Sequence, residues 1–305
     1  MSSGAVATVA VTGANSAVGR ALLARVAGQD ALAAVAVVRR PEALESLPSS
    51  PRISARVARY DQPERLTAAL SGADCVVHLA GILIESRTSR YETANVDATR
   101  ALAAAAQAAA VRHVVFVSSL GADPGSRNGY FRSKGEAERL LAESGLDATI
   151  IRTPLLLGPD TAGGRALLRT AEQRSVRILG GGVHTLRPLD VDDLCDAVLR
   201  CCAQPAPGVQ TCELVGPEPL RYRELLERTA GLLGHEIDVR STPIRLAKLG
   251  AGLAGIVRAG GMTPAVIDVI TSDEAVDRNA DGDLGIRLTP LPDTLAKLCG
   301  TTPTT

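Results

Sequence analysis

An α/β fold built on a doubly wound parallel sheet, with a smaller, partly interleaved C-terminal lobe, is predicted by two observations on this 305-residue chain. Strand-like and helix-like segments alternate through its first half. The strand-like segments are apolar throughout rather than alternately polar, as strands covered on both faces must be. Right-handed crossovers between such strands give a doubly wound sheet, with ligands at the carboxyl ends of its strands.

The elements follow in order. "AVATVAVTG" is a valine-rich strand closed by glycine, and "GRALLARVAGQ" has helical spacing. "ALAAVAVVRR" and "RISARVARYD" are the second and third strands. "PERLTAALSGA" is a helix with proline early and glycine at its end. "DCVVHLAG" is a strand, "YETANVDATRALAAAAQAAAV" a long alanine-rich helix, and "RHVVFVSSLGA" the next strand. "RSKGEAERLLAESG" is helical, and "LDATIIRTPLLLG" follows as a strand. Beyond residue 155 the pattern loosens. "DTAGGRALLRTAEQR" is a helix. A glycine loop in "VRILGGGVHTLRPLDVDDLCDAVLRCCAQ" leads to a helix with Asp192 or Asp193 near its cap. "VQTCELVG" is a strand and "RYRELLERTAGLLG" a helix. Residues 245–270 are apolar, glycine-rich and sparsely basic, a lid over core or pocket or an amphipathic surface helix. "TTPTT" is a frayed tail. The division is 1–155 for the sheet domain and 156–305 for a substrate lobe that partly returns to it.

Composition narrows the function. The formal net charge is zero, tryptophan is absent and aromatic residues make up 2%. Neither a nucleic-acid footprint nor stacking on aromatic platforms fits such a chain. The six cysteines form no CxxC pair and the four histidines are scattered, so neither a metal site nor a disulfide framework is expected. The N-terminus lacks the basic start and apolar core of a signal peptide, and no apolar run reaches the ~20 residues of a spanning helix. A cytoplasmic location and a small-molecule substrate are the expectation.

The loop "VTGANSAVGR" joins the first strand to the first helix. Gly13 and Gly19, with Asn15, Ser16, Ala17 and Val18 between them, form a turn that lets a diphosphate approach backbone N–H groups at a helix N-terminus. Ser16 stands where a middle glycine is usual, and its Cβ narrows the turn. Alone, a glycine turn of this kind is a weak signal. Some twenty residues on, the second strand ends in Arg39 and Arg40, where an acidic residue would hold the ribose hydroxyls of NAD. Arginines suit a 2′-phosphate instead. NADP is therefore expected, with NAD as the alternative.

With these motifs in this order, the chain resembles the short-chain dehydrogenase/reductase superfamily, in its extended and atypical branch. That branch holds nucleoside-diphosphate-sugar epimerases and the NAD(P)H-binding accessory subunit of respiratory complex I. The resemblance implies a Rossmann domain with Asp61 at the adenine and Leu79, Ala80 and Gly81 along the cofactor ribose. It implies Asn95 supporting the active-site lysine, Ser119 holding the substrate oxygen, and Pro154 bordering the nicotinamide. Tyr130 and Lys134 in "GYFRSK" match its Tyr-x-x-x-Lys pair, one turn apart on a helical face. An adjacent ammonium favours phenolate, so Tyr130 would exchange a proton as hydride moves, while Lys134 also holds the ribose. Arg187 in "RPLDVDDL" faces a substrate anion or serves the fold. The chain departs from the family pattern at Ser16, at a short interval between Ser119 and Tyr130, and at Thr153, where proline is usual.

Three functions compete. The first is an NADP-dependent oxidoreductase acting on a small or apolar carbonyl or alcohol. The second is a non-catalytic NAD(P)H-binding subunit or redox sensor. The third is a sugar-nucleotide epimerase or dehydratase, disfavoured because Tyr222 is the only aromatic residue of the second half. The alanine-rich helix 96–110 is a candidate homodimer contact.

Overall fold

The first strand, β1 (Ala7–Thr12), runs into α1 (Ala17–Ala27), β2 (Leu32–Val38) and β3 (Ile53–Val57) on one side of the sheet. The chain then crosses back through α2 (Pro63–Leu70) to β4 (Cys75–His78), α3 (Ala98–Ala108), β5 (His113–Ser119), α4 (Gly129–Glu143) and β6 (Ala148–Thr153) on the other. The computed structural model describes residues 7–257 and 262–301. Residues 1–6, residues 258–261 within the apolar 245–270 stretch, and the tail from 302 onward lie outside the described residues.

The second half contributes β7 (Leu156–Leu157), α5 (Ala162–Ala171), β8 (Ser175–Leu179), β9 (Thr185–Leu186) and β10 (Leu189–Asp190). There follow α6 (Val191–Ala203), β11 (Val209–Glu213), β12 (Leu220–Arg221), α7 (Tyr222–Leu232) and β13 (Asp238–Thr242). The last helices are α8 (Ile244–Val257), α9 (Pro264–Ile270), α10 (Asp281–Leu284) and α11 (Leu291–Cys299).

Seven parallel strands form the main sheet in the order β11-β6-β5-β4-β1-β2-β3. Successive residues of each strand face opposite sides. Val9 and Val11 point into a core with α1 and α6, while Ala10 joins a second core with α2, α3 and α4. The fully apolar strands read from the sequence are the consequence. A third core gathers residues of α5, α7, α11, β8 and β13.

Three local features differ from expectation. The alanine-rich helix begins with a π-helical turn over Glu92–Asp97, and its regular α3 starts only at Ala98. The cap of α6 is Asp190 rather than Asp192 or Asp193. Asp190 is extended, and its carboxylate accepts from Asp192 N at 2.8 Å, while Asp193 accepts from Thr289. Among its described residues the 245–270 stretch holds two helices, α8 and α9. Lys248 on α8 pairs with Asp268 on α9, and Leu246 and Leu249 on α8 are each 64% exposed.

Candidate functional site

The order of chain travel reverses between β1 and β4, where Thr12 pairs with His78 in register. A crevice opens at this point because the two connections leave in opposite directions. Here it is a cleft of about 180 Å³, lined by Gly13, Asn15, Ser16, Val37, Arg39, Ala58, Tyr60, Leu79, Ala80, Gly81, Ile82 and Ala94.

Two glycines of the first loop are required by geometry. Gly13 has φ +72°, and a Cβ there would lie 3.0 Å from Ala80 N and Leu79 C. A Cβ on Gly19 would lie 2.5 Å from Ala14 O. Ser16 needs no such freedom. Its φ is −69°, and its Oγ accepts from Gly19 N at 3.0 Å as the N-cap of α1. The serine therefore replaces glycine without closing the turn.

At the cleft's outer wall Arg39 is exposed, and no ion pair with it occurs among the described residues. Arg40 is exposed as well but does not line the cleft. Asp61 is also outside it: its carboxylate takes Arg59 in a bidentate pair at 2.9 and 2.7 Å, and this pairing lowers its pKa. Tyr60 lines the cleft instead, with its phenol pushed up to about 12 by burial against a hydrogen-bonding interaction with Thr12.

Asn95 lies in the π-helical turn and is buried. Its Oδ1 accepts from Ile82 N at 2.8 Å, and its Nδ2 donates to Ile82 O at 3.2 Å and to Ser133 Oγ at 2.9 Å. One side chain thus joins the cleft wall to the helix that carries Tyr130 and Lys134. The extra residue of a π turn re-aims a side chain within a helix, which suits this bridging position.

Asn128 caps α4, accepting from Tyr130 N and Phe131 N. Burial pushes the Tyr130 phenol up, and a hydrogen-bonding interaction with Ser119 pulls it back. Tyr91 faces it, with ring centroids 6.0 Å apart, and fixes the loop between β4 and the π-helical turn by donating to Leu83 O at 2.7 Å. Lys134 is buried. Its Nζ donates to Val117 O at 2.9 Å and lies 4.2 Å from the Phe116 ring centroid. Burial lowers its pKa to about 8, against the opposing field of Glu138.

Behind these residues His78 is fully buried between Thr12 Oγ1 (2.7 Å from Nδ1) and Thr99 Oγ1 (3.2 Å from Nε2). Thr99 donates its hydroxyl proton to Asn95 O, so it can only accept from Nε2–H, and Nδ1 accepts from Thr12. Burial holds this neutral imidazole's pKa at about 3.

The remaining candidates lie apart from the cleft. Thr153 donates to Ser118 O at 3.1 Å and ends β6, with Pro154 next. Arg187 donates to Gly216 O at 3.1 Å, and its backbone N–H to Glu274, a fastening role within the second lobe. Sequence reasoning missed Tyr60, Tyr91 and His78. Only Tyr91 carried a usable signal, standing four residues before Asn95.

The match of the chain to known families bears on this geometry. A family model described as NAD(P)H-binding matches residues 13–178, more than half of the chain. The chain belongs to the NAD(P)H-binding family. This family member also resembles a ceramide reductase of Caulobacter vibrioides, at 26% identity over 265 residues, or 87% of this chain and 80% of that protein. It resembles subunit 9 of the mitochondrial NADH dehydrogenase [ubiquinone] 1 alpha subcomplex of Arabidopsis thaliana at 26% identity, covering 54% of this chain and 42% of that one. Among solved structures, MoeE5 in complex with UDP-glucose and NAD superposes with a TM-score of 0.76 at 22% identity, over 96% of this chain and 97% of that one. The extended short-chain dehydrogenase/reductase resemblance and the doubly wound fold both hold. No helix among the described residues is long and apolar enough to cross a membrane.

Proposed function

We propose that this NAD(P)H-binding protein is an oxidoreductase that interconverts a carbonyl and an alcohol, with NADP favoured over NAD and Tyr130 as the proton donor and acceptor. The observation that carries the reading is Asn95, which joins the wall of the cleft to the helix bearing Tyr130 and Lys134.

The residues fit a dinucleotide. Gly13 and Gly19 let the loop close against Leu79–Ala80 and Ala14, where any Cβ would strike backbone, and so keep Asn15 and Ser16 along the cleft at a helix N-terminus suited to a diphosphate. The loop from Gly13 to the start of α1 would hold the diphosphate, with Ser16 capping that helix, Leu79 to Gly81 the ribose, and Arg39 a 2′-phosphate. When bound, the nicotinamide supplies or takes up hydride. Ser119 orients the substrate oxygen. Tyr130 keeps its proton at neutral pH because burial opposes phenolate, so it is set to donate from Oη to that oxygen in the reducing direction. An apolar substrate body is supported by exposed Leu83 and Ile84 on the loop that Tyr91 fixes beside Tyr130, and by the likeness to a ceramide reductase.

The test is Tyr130→Phe, assayed over a carbonyl panel with NADPH and by nicotinamide fluorescence. Turnover is expected to vanish with NADPH binding retained. Turnover equal to the parent's would sink the mechanism.

One observation favours a second reading, a non-catalytic NAD(P)H-binding subunit. Lys134 Nζ already has a carbonyl and a ring as partners, both from β5. NADPH binding without turnover on any carbonyl, together with a stable protein partner, would support it.

A further inference from the structure

One turn beyond Lys134 on α4 lies Glu138, a buried carboxylate that the proposed reaction does not use. Its Oε1 accepts from Ser118 Oγ at 2.5 Å and from Arg152 Nε at 3.1 Å, and its Oε2 from Arg152 Nη2 at 2.7 Å. Ser118 and Arg152 are register partners on β5 and β6, so the sheet itself sets the spacing of these donors. Arg152 also reaches Glu213 on β11 at 3.8 Å. The carboxylate is therefore fixed from two strands.

Lys134 is seated on the same strand, at Val117 O and over Phe116. Both partners are neutral. A buried ammonium with only a carbonyl and an aromatic face is poorly compensated. The groups around it add little negative charge. Tyr130 on α4 is a neutral phenol and His78 on β4 a neutral imidazole. Arg152 on β6 is cationic, while Glu213 on β11 and Asp123 in the turn after β5 act on Arg152. Glu138 stands one turn from Lys134 on α4 and is held by Ser118, next along β5 from the Val117 that seats Lys134, so its carboxylate opposes the effect of burial on that ammonium.

We propose that Glu138 is a positioning residue for Lys134: fixed by Ser118 and Arg152, its carboxylate is the counter-charge that keeps the Lys134 ammonium charged and seated on Val117. The proposal rests on the oxidoreductase reading only for the part Lys134 plays in turnover. A merely structural alternative is that the Arg152–Glu138 pair just fastens α4 to β6.

The chain has three lysines, Lys134, Lys248 and Lys297, so its ammonium groups can be followed one by one. The full chain, labelled with carbon-13 at the lysine ε position, is titrated by NMR, with the Lys134 signal assigned by its loss in Lys134→Met. Glu138→Gln preserves shape and an acceptor for Ser118, and should lower the Lys134 midpoint by about one pH unit or more. Arg152→Met frees the carboxylate from its competing cation, and should raise that midpoint. Both variants break the same fastening, so opposite shifts mark a charge role. Shifts in the same direction, or none, overturn the proposal. If Glu138→Gln does not fold, Arg152→Met decides alone: an upward shift supports it and an unmoved midpoint overturns it. Opposite shifts in a protein that turns over no carbonyl would uphold the charge assignment and discard the oxidoreductase reading.

Discussion

Asn95 and Ser133 are joined by a 2.9 Å hydrogen bond that links the π-helical turn to α4. Because Asn95 also satisfies both backbone groups of Ile82, it spans from the cleft wall to the tyrosine helix. Asn95→Ala removes all three bonds and leaves buried polar groups without partners. The expected loss is about 2–4 kcal/mol of stability, read from the urea midpoint, with weaker NADPH binding. A variant as stable as the parent would contradict this role.

The first loop gives a contrast between two small residues. Gly19→Ala places a methyl group against Ala14 O and should cost about 1–3 kcal/mol and most dinucleotide binding. Ser16→Ala removes only the cap of α1, at about 1 kcal/mol, and should leave binding nearly intact. Calorimetric titration with NADPH distinguishes them. Equal binding losses would show that the serine hydroxyl serves the ligand.

Arg39 lines the cleft and Arg40 does not. If Arg39 meets a 2′-phosphate, Arg39→Ala should weaken NADPH binding about tenfold or more and leave NADH binding unchanged. Arg40→Ala should change neither by much. Parallel losses for both nucleotides would remove Arg39 from cofactor choice.

His78 predicts acid lability. Its folded pKa of about 3 lies below the ordinary 6.5. Between those values the unfolded chain binds a proton that the folded chain does not, so stability rises with pH there. The contribution is fully present above about pH 6.5 and is lost as pH falls toward 3, by up to about 4–5 kcal/mol. Urea unfolding at pH 4, 5, 6 and 7 should show that slope, and His78→Gln should flatten it by about one proton.

Much of the fold was legible because apolar periodicity and burial share one cause. The inner strands, such as β2 and β4, read as apolar runs since both their faces are covered, whereas the edge strands β3 and β11 carry polar, exposed residues. Gly13 and Gly19 were legible for a similar reason, as no other residue fits their spaces. Ser16 was harder to judge, because its effect turns on a backbone angle and a side-chain direction. The reach of Asp61 was hidden because Arg59, two residues away, competes for its carboxylate. Tyr60, Tyr91 and His78 are placed by long-range contacts, and the π-helical turn left no mark on the helical pattern.

The edge of the main sheet has a consequence for biosynthesis. β6 is covered on its outer side by β11, which is encoded some fifty residues later. At ordinary elongation speeds that gap lasts roughly three to ten seconds on the ribosome. During this interval the nascent chain presents an unpaired, apolar strand edge, open to pairing with neighbouring chains. Yield in the cell should therefore depend on chaperone supply and translation speed more than the stability of the finished protein suggests.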